Sequence, residues 1–261
     1  RRTGPIVPLI AETGGINAMI VDSSALPEQV VRDALTSAFD SAGQRCSALR
    51  VLFLQEDVAD RMLAMLLGAM RELQLGDPFD YATDVGPVID ADAQRSLNAH
   101  KGRMKREARE LIDLPLPDAC RAGTFVTPAA YEIGSISLLD REVFGPILHV
   151  VRYQRSALDK VCEGINATGF GLTLGVHTRI NATADFIAER VRVGNMYVNR
   201  NQIGAVVGVQ PFGGEGLSGT GPKAGGPSYL PRFATERVRT TDITASGGNA
   251  ALLSLADANE A

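Results

Sequence analysis

Cysteine is scarce in this chain of 261 residues, and the few present do not pair up. Cys46, Cys120 and Cys162 include no CxxC spacing and cannot all bond with one another. That pattern argues against a disulfide framework and suits a reducing compartment, so a cytoplasmic location is expected. The sequons at Asn166 and Asn181 are then chance matches. Histidine is equally sparse. His100, His149 and His177 stand alone in the sequence, without HxxxH or HExxH, and no metal site is expected. Long hydrophobic runs are also missing. Residues 62–70 form the longest, about half of the ~20 residues a membrane helix needs, so no transmembrane segment is expected. The start, RRTGPIVPLIAETGG, is too short in its apolar part for a secretory signal. No dense basic stretch exists either. The cluster at 101–109 is diluted by Glu107 and Glu110 and reads as a solvated helical face, which argues against nucleic acid as a partner of this segment. No internal repeat is visible. The chain begins without Met and is expected to be a piece of something longer.

What is present is an ordinary mixture for a soluble α/β protein: 45% hydrophobic residues, 21% charged residues and a net charge of −4. Residues 6–11 read as a short buried strand running into Glu12-Thr13-Gly14-Gly15, and 18–21 as a second apolar run. Val31, Leu35, Ala38 and Phe39 fall at helical spacing within 28–42, and Gly43 breaks that helix. Residues 50–54, RVLFL, favour a strand. Val58, Met62, Met65, Leu66, Ala69 and Leu73 make one helical stripe, its methionines serving as core filler. Helices are expected at 92–112, 156–166 and 180–193, and strands at 125–133, 172–177, 196–199 and 233–242. This alternation predicts an α/β fold on an open, twisted, mostly parallel sheet flanked by helices. Residues 204–226 are rich in glycine and read as a loop that approaches a ligand or another backbone closely.

Two residues stand out chemically. Cys46 lies in a helix break beside Arg45 and Ser47, where a nearby cation stabilises a reachable thiolate. The alternative is a buried small hydrophobe, the reading given to Cys120 and Cys162. Glu12 sits between an apolar run and two glycines, placed to point into a cleft at a strand end. A helix-cap or surface carboxylate is equally open.

The segment Phe39-Asp40-Ser41-Ala42-Gly43-Gln44-Arg45-Cys46 resembles FxxxGQxC, the cysteine motif of the aldehyde dehydrogenase superfamily. Glu12-Thr13-Gly14-Gly15 resembles its glutamate motif, Glu142-Val143-Phe144-Gly145-Pro146 its ExFGP block, and Pro211-Phe212-Gly213-Gly214 its PFGG block, all in family order. The runs GQRCSALR and GAVVGVQPFGG are similar to the glutamate-γ-semialdehyde (1-pyrroline-5-carboxylate) dehydrogenase branch. Residues 247–253 resemble the C-terminus of the bifunctional proline utilization A proteins, which would place a flavin (FAD) proline dehydrogenase domain upstream of this segment. The resemblance implies an NAD-dependent enzyme, with NADP also open, acting on a small aldehyde as a homo-oligomer, commonly a dimer. It implies Cys46 as nucleophile and Glu12 as general base. Glu142 would hold the nicotinamide ribose and Phe144 would pack near the ring, with Thr13 and Gly14 beside the cofactor. Ser47, Gly204 and Ala205 would hold the substrate carboxylate, and Phe212 would be a pocket wall or purely structural.

Gly214-Glu215-Gly216-Leu217-Ser218-Gly219 matches GxGxxG on paper but follows no strand and opens no helix, so it is not expected to bind a dinucleotide. The expected organisation is a thiol-bearing catalytic domain at 1–212, beginning with the last strand of a cofactor domain. A glycine-rich loop, an oligomerisation strand and a tail would fill 213–261. The family's cofactor domain and its oxyanion asparagine would lie upstream, so the chain alone is expected to be inactive or nearly so. The rivals are a non-catalytic scaffold, a CoA-acylating dehydrogenase (which retention of Glu12 disfavours), and an enzyme for another acidic semialdehyde such as succinate semialdehyde.

Overall fold

The strands at the centre of the fold are apolar along their whole length, as parallel strands covered on both sides must be. In the computed structural model, which describes residues 3–4 and 6–242, these are β1 (Ala18–Val21), β2 (Val51–Gln55) and β7 (Thr173–His177), all buried. They join β3 (Arg109–Asp113), β4 (Ala129–Glu132), β5 (Ile147–Tyr153) and β8 (Asn195–Val198) in a seven-stranded sheet of order β3-β4-β5-β2-β1-β7-β8. Every pairing is parallel except β3 with β4, at one edge. The α/β fold with a mostly parallel sheet is therefore as expected. The helices are α1 (Pro27–Phe39), α2 (Glu56–Arg71), α3 (Ala91–Glu107), α4 (Leu158–Ala167) and α5 (Asn181–Arg190). α1 packs on α2, and α4 on α5. Among the described residues no helix is long and apolar enough to cross a membrane.

Register decides where chemistry can sit. Ala18 lies opposite Val51 and Leu174, Val51 opposite His149, and Thr173 opposite Asn195. The parallel strands thus start level, and the segments ahead of β1, β2, β5, β7 and β8 converge on one amino edge. This corrects the expectation that Glu12 faces a crevice at strand carboxyl ends. Residues 6–11 form no strand, and Ile6 and Leu9 are exposed. Ala11 instead exchanges bonds with Thr220, and Glu12 forms an isolated antiparallel bridge with Gly219. An apolar run forms a buried strand only where the fold offers it neighbours.

Further expectations change. The helix expected through 112 ends at Glu107, and the next five residues form edge strand β3. His100 and His149 do not stand alone: they bond Nε2 to Nε2 at 2.9 Å, and burial lowers their pKa to about 4 and about 3. Among the described residues, no cluster of His, Cys, Asp and Glu is placed to hold a metal. Among the described residues the strand expected at 233–242 is not formed: Leu230–Phe233 is a 3-10 turn, and 234–242 adopt no regular secondary structure. Residues 247–253 lie outside the described part. The chain divides into two units at 229/230, so the boundary expected at 212/213 falls inside the first. There β9 (Glu215–Gly216) pairs with β6 (Phe170–Gly171), which gives the GxGxxG look-alike a strand context with no helix after it.

Candidate active site

The cysteine loop is built from residues that cannot be exchanged freely. After α1 the chain makes a 3-10 turn in which Ser41, Ala42 and Gly43 have φ of 56°, 54° and 66°. A Cβ on Gly43 would lie 2.3 Å from the Gly145 carbonyl oxygen, so glycine answers both the backbone conformation and the close approach. Gln44 fastens the turn sideways: its Nε2 donates to the Ser41 and Pro87 carbonyls, and its Oε1 accepts from Ile89 N at 2.8 Å. From below, Asn17 Nδ2 donates to the carbonyls of Cys46 (2.7 Å) and Ala48 (2.9 Å). Arg50 completes the clamp. Its side chain is 1% exposed and donates to Gly43 O (2.6 Å), Arg45 O (3.0 Å) and Gly145 O (3.4 Å), and pairs with Glu142 Oε1 (3.1 Å). Sequence reasoning missed Asn17 and Arg50. The signal available was a polar residue directly ahead of each apolar strand.

Cys46 is half-buried, whereas Cys120 and Cys162 are buried as expected. Burial pushes the Cys46 thiol above its ordinary range; the backbone N–H groups of Ser47 and Cys46 oppose this, while Glu142 and Glu12 add to it. Arg45 is not the stabilising cation expected: it is exposed, and its Nε donates to Ser41 Oγ at 3.0 Å. The free thiol therefore stays protonated near neutrality and needs a base. Iodoacetamide labelling of Cys46 is expected to rise with a midpoint above that of an ordinary cysteine, and Glu12→Gln to move that midpoint down, because one opposing charge is removed. An unchanged midpoint in the variant would place Glu12 out of reach of the sulfur.

Glu12 remains open to solvent, but its carboxylate rests on the glycine-rich segment. Gly214 N donates to Oε2 at 3.3 Å, and a Cβ on Gly213 would lie 2.8 Å from Oε1. Desolvation raises its pKa, partly offset by that N–H and by Lys223. This suits a proton acceptor. Thr13 ties the same two segments: its N–H donates to Ser218 O and its hydroxyl to Leu217 O.

Glu142 sits between the glutamate turn and the cysteine loop. A Cβ on Gly14 would fall 1.5 Å from Glu142 Oε2, and Gly15 N–H bonds the carboxylate, so a side chain at Gly14 would push Glu142 out of this position. Glu142 and the half-exposed Phe144 line a cavity of about 290 Å³ together with Gln44, Ala93, Ser96 and His100. A carboxylate with free lone pairs beside an aromatic face fits a ribose and a flat heteroaromatic ring. Arg50 lies 5.0 Å from the Phe144 ring centre and so supports both residues.

Ser47 is buried beside the nucleophile, and its carbonyl accepts from Thr173 Oγ1 (3.2 Å) and Gln202 Nε2 (3.3 Å). Gln202, another residue missed from sequence, brings the 204–210 loop to the cysteine loop. Gly204 follows with φ of 70° and open space around it, and Ala205 is half-buried. Phe212 is half-buried and exchanges two backbone bonds with Ala224.

Comparison with known proteins agrees with this architecture. The sequence profile of the aldehyde dehydrogenase family matches residues 2–238. The bifunctional protein PutA of Klebsiella aerogenes is 60% identical over 239 residues, 90% of this chain and 18% of that protein. The 1-pyrroline-5-carboxylate dehydrogenase of Geobacillus kaustophilus is 37% identical over 224 residues, 85% of this chain and 43% of that protein. A crystal structure of a proline utilization A variant from Bradyrhizobium japonicum superposes with a TM-score of 0.89 at 63% identity, covering 95% of this chain and 25% of that one. The chain therefore spans between 18% and 43% of the length of these relatives. It belongs to the aldehyde dehydrogenase family.

Proposed function

We propose that this chain is the thiol-bearing catalytic part of a longer polypeptide that oxidises L-glutamate γ-semialdehyde, the open form of 1-pyrroline-5-carboxylate, to L-glutamate. The observation that carries this reading is that Glu142 joins the two motifs at the amino edge of the sheet: its Oε2 lies against Gly14 of the glutamate turn, and its Oε1 pairs with Arg50, which holds the cysteine loop through the Gly43 and Arg45 carbonyls. The choice of aldehyde follows the names of the relatives, one a bifunctional PutA and one a 1-pyrroline-5-carboxylate dehydrogenase.

In this mechanism Glu12 accepts the Cys46 proton, and the thiolate adds to the aldehyde carbon. A C–S bond forms, and the carbonyl electron pair moves to oxygen, where the Cys46 N–H donates. Glu142 and Phe144, with Thr13 and Gly14 beside them, would hold NAD+, which would supply the hydride acceptor. Loss of hydride from the substrate carbon leaves a thioester on Cys46. Glu12, having passed its first proton to solvent, then takes a proton from water; hydroxide adds to the thioester carbonyl, the C–S bond breaks, and Cys46 leaves as thiolate. Ser47, with the amides of Gly204 and Ala205, holds the substrate α-carboxylate, small residues letting N–H groups approach an anion. Phe212 forms a wall of the pocket.

The intact protein, given 1-pyrroline-5-carboxylate and NAD+, is expected to form NADH, and to do so far faster than with succinate semialdehyde. Equal or greater turnover of succinate semialdehyde would overturn the substrate assignment.

A further inference from the structure

Lys223 lies far from the cysteine motif in sequence and has no part in the mechanism above, yet it is folded into the support of the base. Its Nζ donates to the Gly194 carbonyl and to Asn195 Oδ1, the latter at 3.3 Å. The same Asn195 oxygen accepts from Gly213 N, also at 3.3 Å. Gly213 is the residue against which Glu12 Oε1 packs, and a Cβ there would also lie 3.2 Å from the Lys223 Cα. The glycine is thus held between the carboxylate and the lysine. Gly194 is equally committed, since a Cβ on it would fall 1.7 Å from the Gly213 carbonyl oxygen. Lys223, Asn195, Gly194, Gly213 and Gly214 form one shelf, and the Glu12 carboxylate lies on it.

We propose that Lys223 is a positioning residue for Glu12, clamping the Gly194–Asn195 turn under the glycines that carry the carboxylate and placing a positive charge beside it. The inference rests on Glu12 being the base. The two carboxylates differ in their cations: Glu142 pairs directly with buried Arg50, whereas Lys223 spends its hydrogen bonds on Gly194 and Asn195 beneath the glycines that carry Glu12. The charged groups that reach this cluster are Glu12 and Glu215 around Lys223, and Glu12 and Glu142 around Cys46. Lys223 lowers the proton affinity of Glu12 against the desolvation that raises it. Without the cation, the ionised carboxylate is less stable and the base is lost at a higher pH as the solution is acidified.

The test uses the intact protein and p-nitrophenyl acetate, which acylates Cys46 without needing cofactor or the natural aldehyde, so an error in the substrate assignment cannot affect the result. The burst reports acylation, and the rate after it reports hydrolysis of the acyl-enzyme. Lys223→Met and Lys223→Gln are expected to keep a burst of wild-type amplitude and to move the acid limb of the post-burst rate up by about one pH unit. Lys223→Arg, which keeps the charge, is expected to bring the limb back. An unmoved limb in both neutral variants, beside a post-burst rate that Glu12→Gln does suppress, overturns the role of Lys223 alone. Loss of burst and post-burst rate alike in all three Lys223 variants reduces Lys223 to a structural residue and also overturns it. A post-burst rate untouched by Glu12→Gln removes the base assignment itself, and this inference with it.

Discussion

Glu12→Gln is expected to divide the reaction in two: the first turnover forms NADH in a burst, and steady-state turnover falls by about 10²–10⁴-fold, the range general-base catalysis supplies. The reason lies in what each half-reaction needs. Cys46 can lose its proton to solvent once per turnover, slowly but without a dedicated acceptor when the pH is raised. Water attacking a thioester has no such alternative near neutrality. The amide of Gln keeps the size of the side chain, and its oxygen still accepts from Gly214 N, so the glycine shelf should stay in place. Stopped-flow absorbance of NADH with 1-pyrroline-5-carboxylate measures both phases. A variant whose burst slows as much as its steady state would leave Glu12 only the Cys46 proton and remove its role in hydrolysis.

The second large effect concerns a residue that touches no substrate. Arg50→Met is expected to destabilise the folded protein by about 3–5 kcal/mol, the cost of leaving one partner of a buried ion pair alone. The guanidinium contacts four acceptors at once: the carbonyls of Gly43, Arg45 and Gly145 and the carboxylate of Glu142. No single-point ammonium spans that set, so Arg50→Lys should recover little. Removing the stranded carboxylate as well, in Arg50→Met with Glu142→Met, should restore part of the loss, since the second change no longer leaves a buried charge behind. The denaturant midpoint of the intact protein checks each step. Wild-type stability in Arg50→Met would mean the cysteine loop is held by Asn17 and Gln44 alone.

The motif glycines were legible because each has a local reason that a sequence pattern preserves. Gly43 adopts a positive φ against Gly145, Gly14 leaves room for Glu142, and Gly213 leaves room for Glu12. The helices and most strands were legible from periodicity for the same local reason. Arg50 and Asn17 were not, because their partners are carbonyls of loops that only the tertiary fold brings near. β5 was also hidden: His149 and Arg152 interrupt its apolar run, and His149 is accommodated because its Nδ1 bonds the Arg50 carbonyl and His100 arrives from α3 to bond its Nε2. Residues 6–11 misled in the opposite direction, being apolar enough for a strand yet lacking a strand neighbour among the described residues. Which edge of the sheet carries the site was not readable at all, because strand order and register are set by contacts far apart in sequence. Arg45 shows the same limit at short range. It adjoins Cys46 in sequence, but its charge is turned toward Ser41 and Asp40.

The most direct measurement is mass spectrometry of the Glu12→Gln protein quenched in acid shortly after mixing with 1-pyrroline-5-carboxylate and NAD+. Nucleophilic attack by this sulfur predicts a glutamyl thioester on the peptide containing Cys46, removable by hydroxylamine, with Cys120 and Cys162 unmodified. NADH accumulation with no adduct on Cys46, or an adduct on either of the other two sulfurs, would contradict it.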